Sequence, residues 1–223
     1  MSMPSEVIQT IKEILELSKE DSEVSDIDAL NEKILGQLGY PTSVPFVVDR
    51  NQRIDLAMTA ITRGAKVSEI VELLTWKDFE GFVAGILSEN SYKCVESFRR
   101  RGDSEIHGME IDVVGVRGKT IIAVDAKMWG VRGGKASALK TAAEKQKIRT
   151  EELSSELDRL HKKLNSLGSG TYSIFPVIVT WLVEDIEFHE GVPVVPVFKL
   201  NNFIHELDFF EDMVVSFTGQ MVL

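Results

Sequence analysis

The sequence predicts an α/β protein: a mixed central β-sheet flanked by helices, preceded by a small, mainly helical region. Three observations carry this expectation. Residues 108–127 read as a β-hairpin, in which apolar runs Val113–Val116 and Thr120–Val124 flank a short glycine-containing turn at Arg117–Lys119. One long helical pattern follows from Lys135 to Leu167, with Leu139, Ala143, Gln146, Thr150, Leu153, Leu157, Leu160 and Leu164 at steps of three and four. The element order is helix, three strands, long helix, strand, then a further strand and helix, as a layered α/β sandwich requires.

Taken from the start, Pro4–Leu17 has apolar residues at helical spacing, and Ile27–Leu38 predicts a second helix stopped by Gly39. Pro41–Val48 is expected to be extended, with Asp49–Gln52 as a turn. Ile54–Ile61 and Val67–Leu74 predict two more helices. Two readings fit this region, 1–74: a helical cap or dimerisation domain, or a partial winged-helix module. The second domain is expected over 75–223. Thr75-Trp-Lys-Asp78 has the form of a capping box, opening a helix that turns Trp76, Phe79, Val83, Ile86 and Leu87 toward the core. Tyr92–Phe98 alternates as a first strand. After the hairpin and long helix, Ile174–Trp181 and Val192–Phe198 predict strands interrupted by prolines, which favours edge or early strand positions. Asn201-Asn202 is placed to cap a closing helix that reaches Phe209 or Phe210.

Composition is that of an ordinary soluble globular domain. No run approaches the ~20 apolar residues needed to span a membrane. Met1–Glu6 lacks a basic segment leading into a hydrophobic one, so a cytoplasmic protein is expected. Cys94 is the only cysteine, which excludes an intrachain disulfide and a cysteine-cluster metal site. The net charge of −10 argues against indiscriminate nucleic-acid binding. Yet from Arg99 to Arg149 there are 12 Lys and Arg against 6 Asp and Glu, so basic residues concentrate around the hairpin. A localised phosphate-binding surface is compatible with that distribution.

The polar residues at the hairpin's ends are the informative ones. Asp112 opens the first apolar run, and Asp125 and Lys127 close the second. Residues 125 and 127 are two apart on a strand, so both side chains leave the same face. In so tight an antiparallel pair Asp112 lies across from the Asp125 region, within reach of a shared cation. Upstream, Glu80 sits beside the apolar stripe of its helix.

The ordered set Glu80, Asp112 and Asp125-Ala126-Lys127 resembles the active site of the PD-(D/E)XK, or restriction-endonuclease-like, nuclease superfamily. The wording is most similar to its archaeal Holliday-junction-resolvase and Mrr-type branches, over about residues 75 to 180. The sequence departs from the pattern in having Ile111 where proline would stand and Asp125 where Glu is commoner. The resemblance implies a restriction-endonuclease-like core and a metal-dependent endonuclease acting on DNA, including branched DNA of repair and recombination. It implies Mg²⁺, or Mn²⁺, held by Asp112, Asp125 and the Ala126 carbonyl, with Glu80 completing the metal's surroundings and Lys127 orienting water or stabilising charge. Hard oxygen ligands suit such an ion.

Arg99, Arg100, Arg101, His107, Arg132 and Lys135 are the expected nucleic-acid contacts. Each assignment has a plainer counterpart. Glu80 reads equally as a boundary glutamate, the arginines as a solvated charge run, His107 as a loop residue, and Asp125–Lys127 as a strand-end salt bridge. The rival function is therefore a catalytically inactive nucleic-acid-binding or assembly protein on the same fold. The leucine seam from Leu153 to Leu167 pairs either with the chain's own elements or with a second subunit, which makes a homodimer an expectation. Lys119, in the turn, is expected to be solvated.

Overall fold

In the computed structural model, residues 4–26, 32–102, 108–128, 135–210 and 212–222 are described. Backbone contacts divide the chain into two units, Met1–Phe82 and Val83–Leu223. His107, Arg132 and the glycine-rich stretch 130–134 lie outside the described residues, as does the side chain of Lys135. Among the described residues no helix is long and apolar enough to cross a membrane.

The first unit begins with α1 (Pro4–Leu17), and proline suits a first helical turn because its missing N–H would have no partner there. Its period places Val7, Ile11, Ile14 and Leu15 in the core. β1 (Glu23–Val24) and β2 (Phe46–Val47) pair as a short antiparallel ribbon on either side of α2 (Glu32–Leu38) in the sequence. The extended segment expected over Pro41–Val48 is thus confined as strand to two residues. α3 (Arg50–Thr62) starts earlier than its apolar pattern predicts. Asp49–Gln52, expected as a turn, is the cap and first turn of that helix. The Gln52 N–H donates to Asp49 Oδ1 at 2.9 Å, and the Asp49 N–H donates to Gln52 Oε1 at 2.8 Å. α4 (Val67–Val71) follows, and α5 (Trp76–Glu89) starts in this unit and ends in the next.

A buried arginine ties these helices together. Arg53 is 2% exposed, and its Nε donates to Asp78 Oδ2 at 3.0 Å. Nη1 donates to the carbonyl of Leu15 at 2.7 Å and to the Ser18 hydroxyl, while Nη2 donates to the carbonyl of Leu73 at 2.8 Å. The same Asp78 carboxylate accepts the Thr75 N–H at 2.8 Å, and Thr75 Oγ1 accepts the Asp78 N–H at 3.1 Å. The expected capping box is therefore present, and its acid also anchors the guanidinium. The buried arc of α5 runs through Asp78, Phe79, Val83 and Leu87 and takes Glu80 with it. Trp76, expected in the core, is 51% exposed, one step outside that arc.

In the second unit, β3 (Lys93–Arg100), β4 (Met109–Arg117) and β5 (Thr120–Lys127) form an antiparallel meander. The β4–β5 loop is Gly118-Lys119, and Gly118 takes the φ of +59° that the first position of a two-residue loop demands. Lys119 is exposed, yet its ammonium donates to the carbonyls of Gly168 and Ser169 at 3.0 and 2.8 Å, so it fastens the turn to a neighbouring loop. Gly115 lets the carboxyl half of α5 come close, since a Cβ there would lie 3.2 Å from Leu87 Cδ1 and 3.3 Å from Tyr92.

Among the described residues the sheet has seven strands, in the order β3-β4-β5-β6-β8-β7, with β9 also on β6. β6 (Gly170–Thr180) runs parallel to β5, and β8 (Val192–Pro196) parallel to β6. β7 (Phe188–His189) pairs antiparallel with β8, and β9 (Phe217–Met221) antiparallel with β6. The sheet is thus mixed, as expected. β6 is interior rather than the edge strand its proline favours. It pairs with β9 over 170–174 and with β8 over 178–180, and Pro176 falls in the gap between the two partners. A missing N–H costs least there.

The long helix is two helices. α6 (Lys135–Leu153) stops at Ser154-Ser155, where Ser154, Ser155 and Glu156 bond back three residues rather than four. The Ser154 hydroxyl donates to the carbonyl of Glu151 and competes with the helical ladder. α7 (Leu157–Leu164) then closes on Asn165 in the left-handed region. Leu153, Leu157, Leu160 and Leu167 are buried with Val114, Ile121, Tyr172, Ile174 and Met221. The leucine seam packs on its own sheet, which leaves those side chains unavailable to a second subunit. α8 (Val197–His205) starts directly on Pro196, earlier than the asparagine cap predicts, and a single 3-10 turn, Leu207–Phe210, follows.

Removing the guanidinium by Arg53→Met leaves the Asp78 carboxylate buried without its cation. The expected loss is about 3–5 kcal/mol of stability, the scale of breaking a buried ion pair on one side. Chemical denaturation of the full chain, followed by circular dichroism, measures it. A variant as stable as the wild type would remove this cluster from the account of the first unit.

Candidate active site

Alternation along β4 and β5 decides which face carries the polar set. Val114, Ile121 and Ala123 point into the cluster with Leu153, Leu157 and Leu160, so the face is the one covered by α6 and α7. Asp125 and Lys127 share that face by their even spacing from Ala123, and the Asp112 carboxyl lies close enough to feel Asp125, Lys127 and Arg149. The ladder pairs Val113 with Val124, and one step further the register sets Asp112 beside Asp125.

At that point the side chain replaces the ladder. The Ala126 N–H donates to Asp112 Oδ2 at 2.7 Å, so the carboxylate of β4 holds the end of β5. On its other side β5 stays paired with β6 to its last residue, Asp125 with Ile178 and Lys127 with Thr180. The strand end is thus held from both sides, by a backbone ladder and by a carboxylate.

Asp125 is 2% exposed. Lys127 Nζ lies 2.6 Å from its Oδ2, and Arg149 Nη1 donates to its Oδ1 at 3.1 Å. The lysine comes from the same strand and the arginine from α6. Both cations keep contact with water, with side chains 24% and 34% exposed, while the carboxylate between them does not. The Lys127 contact brings opposite charges together without an aligned hydrogen bond to Oδ2.

Burial holds the Asp112 carboxyl above the usual range, and the neighbouring Asp125 charge adds to the rise. The Ala126 N–H, Lys127 and Arg149 oppose it. Two carboxylates side by side on a covered face repel, and a cation shared between them relieves the repulsion. Their oxygens, with the adjoining backbone carbonyls, form a hard donor set that fits Mg²⁺ or Mn²⁺. Both Asp125 oxygens now meet cations of the chain, Oδ2 the Lys127 ammonium and Oδ1 the Arg149 guanidinium, so an ion held here would share or displace those contacts.

The structure thus brings together Asp112, Asp125, Ala126 and Lys127. Glu80 is buried on α5, in the first unit. The arginine run divides by strand alternation. Arg100 turns inward, 11% exposed, and Nη2 pairs with Glu152 at 2.8 Å and Nη1 with Glu156 at 3.5 Å. Its guanidinium is held in the fold rather than presented to a ligand. Arg99 pairs with Glu110 at 2.6 Å and stays exposed, and Arg101 is exposed.

Two neighbours of the site were weakly marked in the sequence. Arg149 reads there as one of several outward basic residues of the long helix, and only the helix's placement aims it at Asp125. Gln146 reads as a polar break in the helical stripe. It is fully buried, and its Nε2 donates to the carbonyl of Ala123 at 2.8 Å, which fixes α6 on β5 two residues before Asp125. Elsewhere Glu144, His189 and Glu190 come together, already bonded as His189 Nε2 to Glu144 at 3.0 Å and Lys147 to Glu190 at 3.3 Å. Burial pushes the Cys94 thiol up, against the hydrogen bond with Ser88, so it is not disposed to act as a nucleophile.

No family model matches the chain. It is 31% identical over 137 residues to a protein of Archaeoglobus fulgidus described as uncharacterized, a match covering 61% of this chain and 95% of that protein. The chain belongs to the same family as that archaeal protein. Among solved structures it has a likeness to the crystal structure of protein VC1899 from Vibrio cholerae, with a TM-score of 0.38 and 12% identity. That match covers 93% of this chain and 52% of the other, so the chain spans about half the length of the Vibrio protein.

A proton balance follows from Asp112. Its raised value means the folded state holds that proton more tightly than the unfolded chain does. The associated stability is complete below the ordinary aspartate value of about 3.9 and is lost as pH rises through the raised one. At neutral pH with chelator present, Asp112→Asn keeps an acceptor for the Ala126 N–H and removes the repelled charge. It should therefore melt above the wild type at pH 7, with the gap closing as pH falls toward 4. Thermal unfolding across that range checks it, and a variant melting lower at pH 7 would show that the charge is well compensated.

Proposed function

We propose that the protein is a metal-dependent nuclease with a restriction-endonuclease-like core, hydrolysing phosphodiester bonds of DNA. One observation carries the reading: Asp112, Asp125 and Lys127 meet at the end of the β4–β5 hairpin, in the order and spacing by which the sequence resembles that superfamily. The meander of three strands, followed by α6 and a parallel β6, supports it.

Asp112 and Asp125, with the Ala126 carbonyl, would hold Mg²⁺ or Mn²⁺, which supplies charge neutralisation at the phosphoryl group and a more acidic bound water. The chain's own groups supply the remainder. Asp125 sets the position of Lys127 through their ion pair. The partly exposed ammonium is placed to orient water or to meet negative charge growing on the phosphate. The Ala126 N–H fixes the Asp112 carboxylate, so β4 and β5 present their oxygens as a unit. Arg99 and Arg101, exposed on β3 and just after it, suit backbone phosphate contacts. DNA as the substrate follows from the family resemblance.

A specific observation favours a second reading. Lys127 and Arg149 already neutralise Asp125 within the chain, as they would in a catalytically inactive nucleic-acid-binding or assembly protein whose site has become structural.

The test incubates wild type, Asp112→Ala and Lys127→Met with linear, nicked, branched and single-stranded DNA, with Mg²⁺, Mn²⁺ or chelator. Metal-dependent cleavage is expected from the wild type alone. Lys127→Met, which keeps an apolar stem of similar length, should retain its circular dichroism and metal binding and lose at least ~100-fold in single-turnover cleavage. Equal trace cleavage by all three proteins would indicate a contaminant and favour the structural reading.

Arg149 provides an independent check without DNA. Its guanidinium occupies one oxygen of a proposed metal ligand, so Arg149→Gln should tighten Mn²⁺ binding by about two- to fivefold, the worth of a partly exposed ion pair. Calorimetric titration measures this. Unchanged or weaker binding would mean that Arg149 and the ion do not compete for Asp125.

A further inference from the structure

The carboxyl ends of the parallel strands lie in one row: Lys127 of β5 pairs with Thr180 of β6, and Thr180 with Pro196 of β8. At β8, the last strand of this row, residues of β8, α8, the 3-10 turn and the 183–188 segment line a partly open cavity of about 310 Å³. Strands are spaced ~4.8 Å apart, so Pro196 is roughly 10 Å along the row from Lys127. Open α/β sheets take their ligands at this end of the strands. The volume is at the lower limit of the ~300–1,000 Å³ typical of small-molecule sites.

The lining has two chemically distinct parts. Pro193, Val195, Pro196 and Phe203 form a buried apolar floor. Phe210 stacks on Phe203 with centroids 5.8 Å apart at 23°, and Phe188 leans on Phe210 at 6.4 Å and 44°. These rings form a stepped wall rather than a closed cage, and a flat apolar group fits against such a wall.

The rim is acidic. Glu184, Glu187 and Glu206 line it against a single lysine, Lys199. Glu187 and Glu206 are exposed, and among the described residues neither carboxylate has a side-chain hydrogen bond or ion pair, whether to Lys199 or to any other group. Two unengaged carboxylates lining the same cavity as the aromatic rings attract a cation by charge, to which a ring face adds. An anion meets the reverse field.

We propose that this cavity binds a small aromatic ammonium ion, with the ring against Phe203 and Phe210 and the ammonium at Glu187 and Glu206. The site is separate from Asp112 and Asp125, and the proposal stands whether or not the protein cleaves DNA.

Three ligands sharing one ring test it: tryptamine as the cation, 3-ethylindole as the neutral form, and indole-3-propionate as the anion. Titrations of the full-length protein by calorimetry and ligand-observed NMR should rank tryptamine first and the anion last, with about a two- to fivefold advantage of tryptamine over the neutral compound. Glu187→Gln combined with Glu206→Gln should erase that advantage and leave 3-ethylindole binding unchanged. Lys199→Gln, which removes the rim's positive charge, should tighten tryptamine. Phe210→Ala should weaken all three, with circular dichroism confirming its fold. If Phe210→Ala does not fold, the surface variants decide alone. Equal binding of the three compounds, no saturable binding of any, or a preference that survives the double glutamine variant would each overturn the proposal.

Discussion

Two carboxylates that cannot move apart are the constraint around which the second unit is arranged. Asp112 and Asp125 are brought together by the antiparallel register of β4 and β5, which the surrounding valines and isoleucines set through burial. Sliding either strand by one residue would turn its whole apolar set to the wrong face. The proximity is therefore enforced by the core, and the like charges are compensated locally. Lys127 comes from the next position on the same face, and Arg149 from a helix whose seat is fixed by Gln146 on the Ala123 carbonyl. The arrangement stores electrostatic tension between fixed acids and adjustable cations. In this structure the ion pairs of Asp125 with Lys127 and Arg149 offset it.

Charge is handled in another way in the first unit. Arg53 is enclosed, its bonds going to carbonyls, a hydroxyl and one carboxylate of its own unit, and almost none of it reaches water. A guanidinium held at several points in a fixed fork has little freedom to exchange partners. The contrast with Arg149, which meets Asp125 through one nitrogen and keeps substantial exposure, separates a cation built into a scaffold from one with room to move.

Much of this was legible in the residues because local rules and tertiary structure agreed. The hairpin from Val113 to Val124 is apolar enough to be interior and has a glycine where the turn needs one, so strands, turn and the shared face of Asp125 and Lys127 could all be read. The Thr75–Asp78 box was legible for the same reason. Errors arose where one signal had two uses. The step of three and four runs unbroken through Ser154-Ser155, because α6 and α7 both pack on the same sheet, and periodicity reports the face rather than the continuity of a helix. Pro176 was read as an edge signal, yet an interior strand that changes partners offers the same relief. Trp76, expected in the core, is exposed because the buried arc of α5 includes Asp78, held by Arg53, and Glu80, whose environment the sequence left open. Arg149 had no local signature, since its partner is 24 residues away and only α6's seat on the sheet joins them.

The change of partner along β6 has a consequence for how the fold can vary. Its first half is covered by β9 and its second half by β8, with Pro176 at the seam. The half under β9 contributes to the core beneath α7, whereas the half beside β8 continues the row that ends at Lys127. Substitutions that reshape the β9 side can accumulate in homologues without being transmitted along hydrogen bonds to the strand ends. Two segments of one strand can thereby vary separately, and the segment beside β8 is the one that pairs with Asp125 of β5.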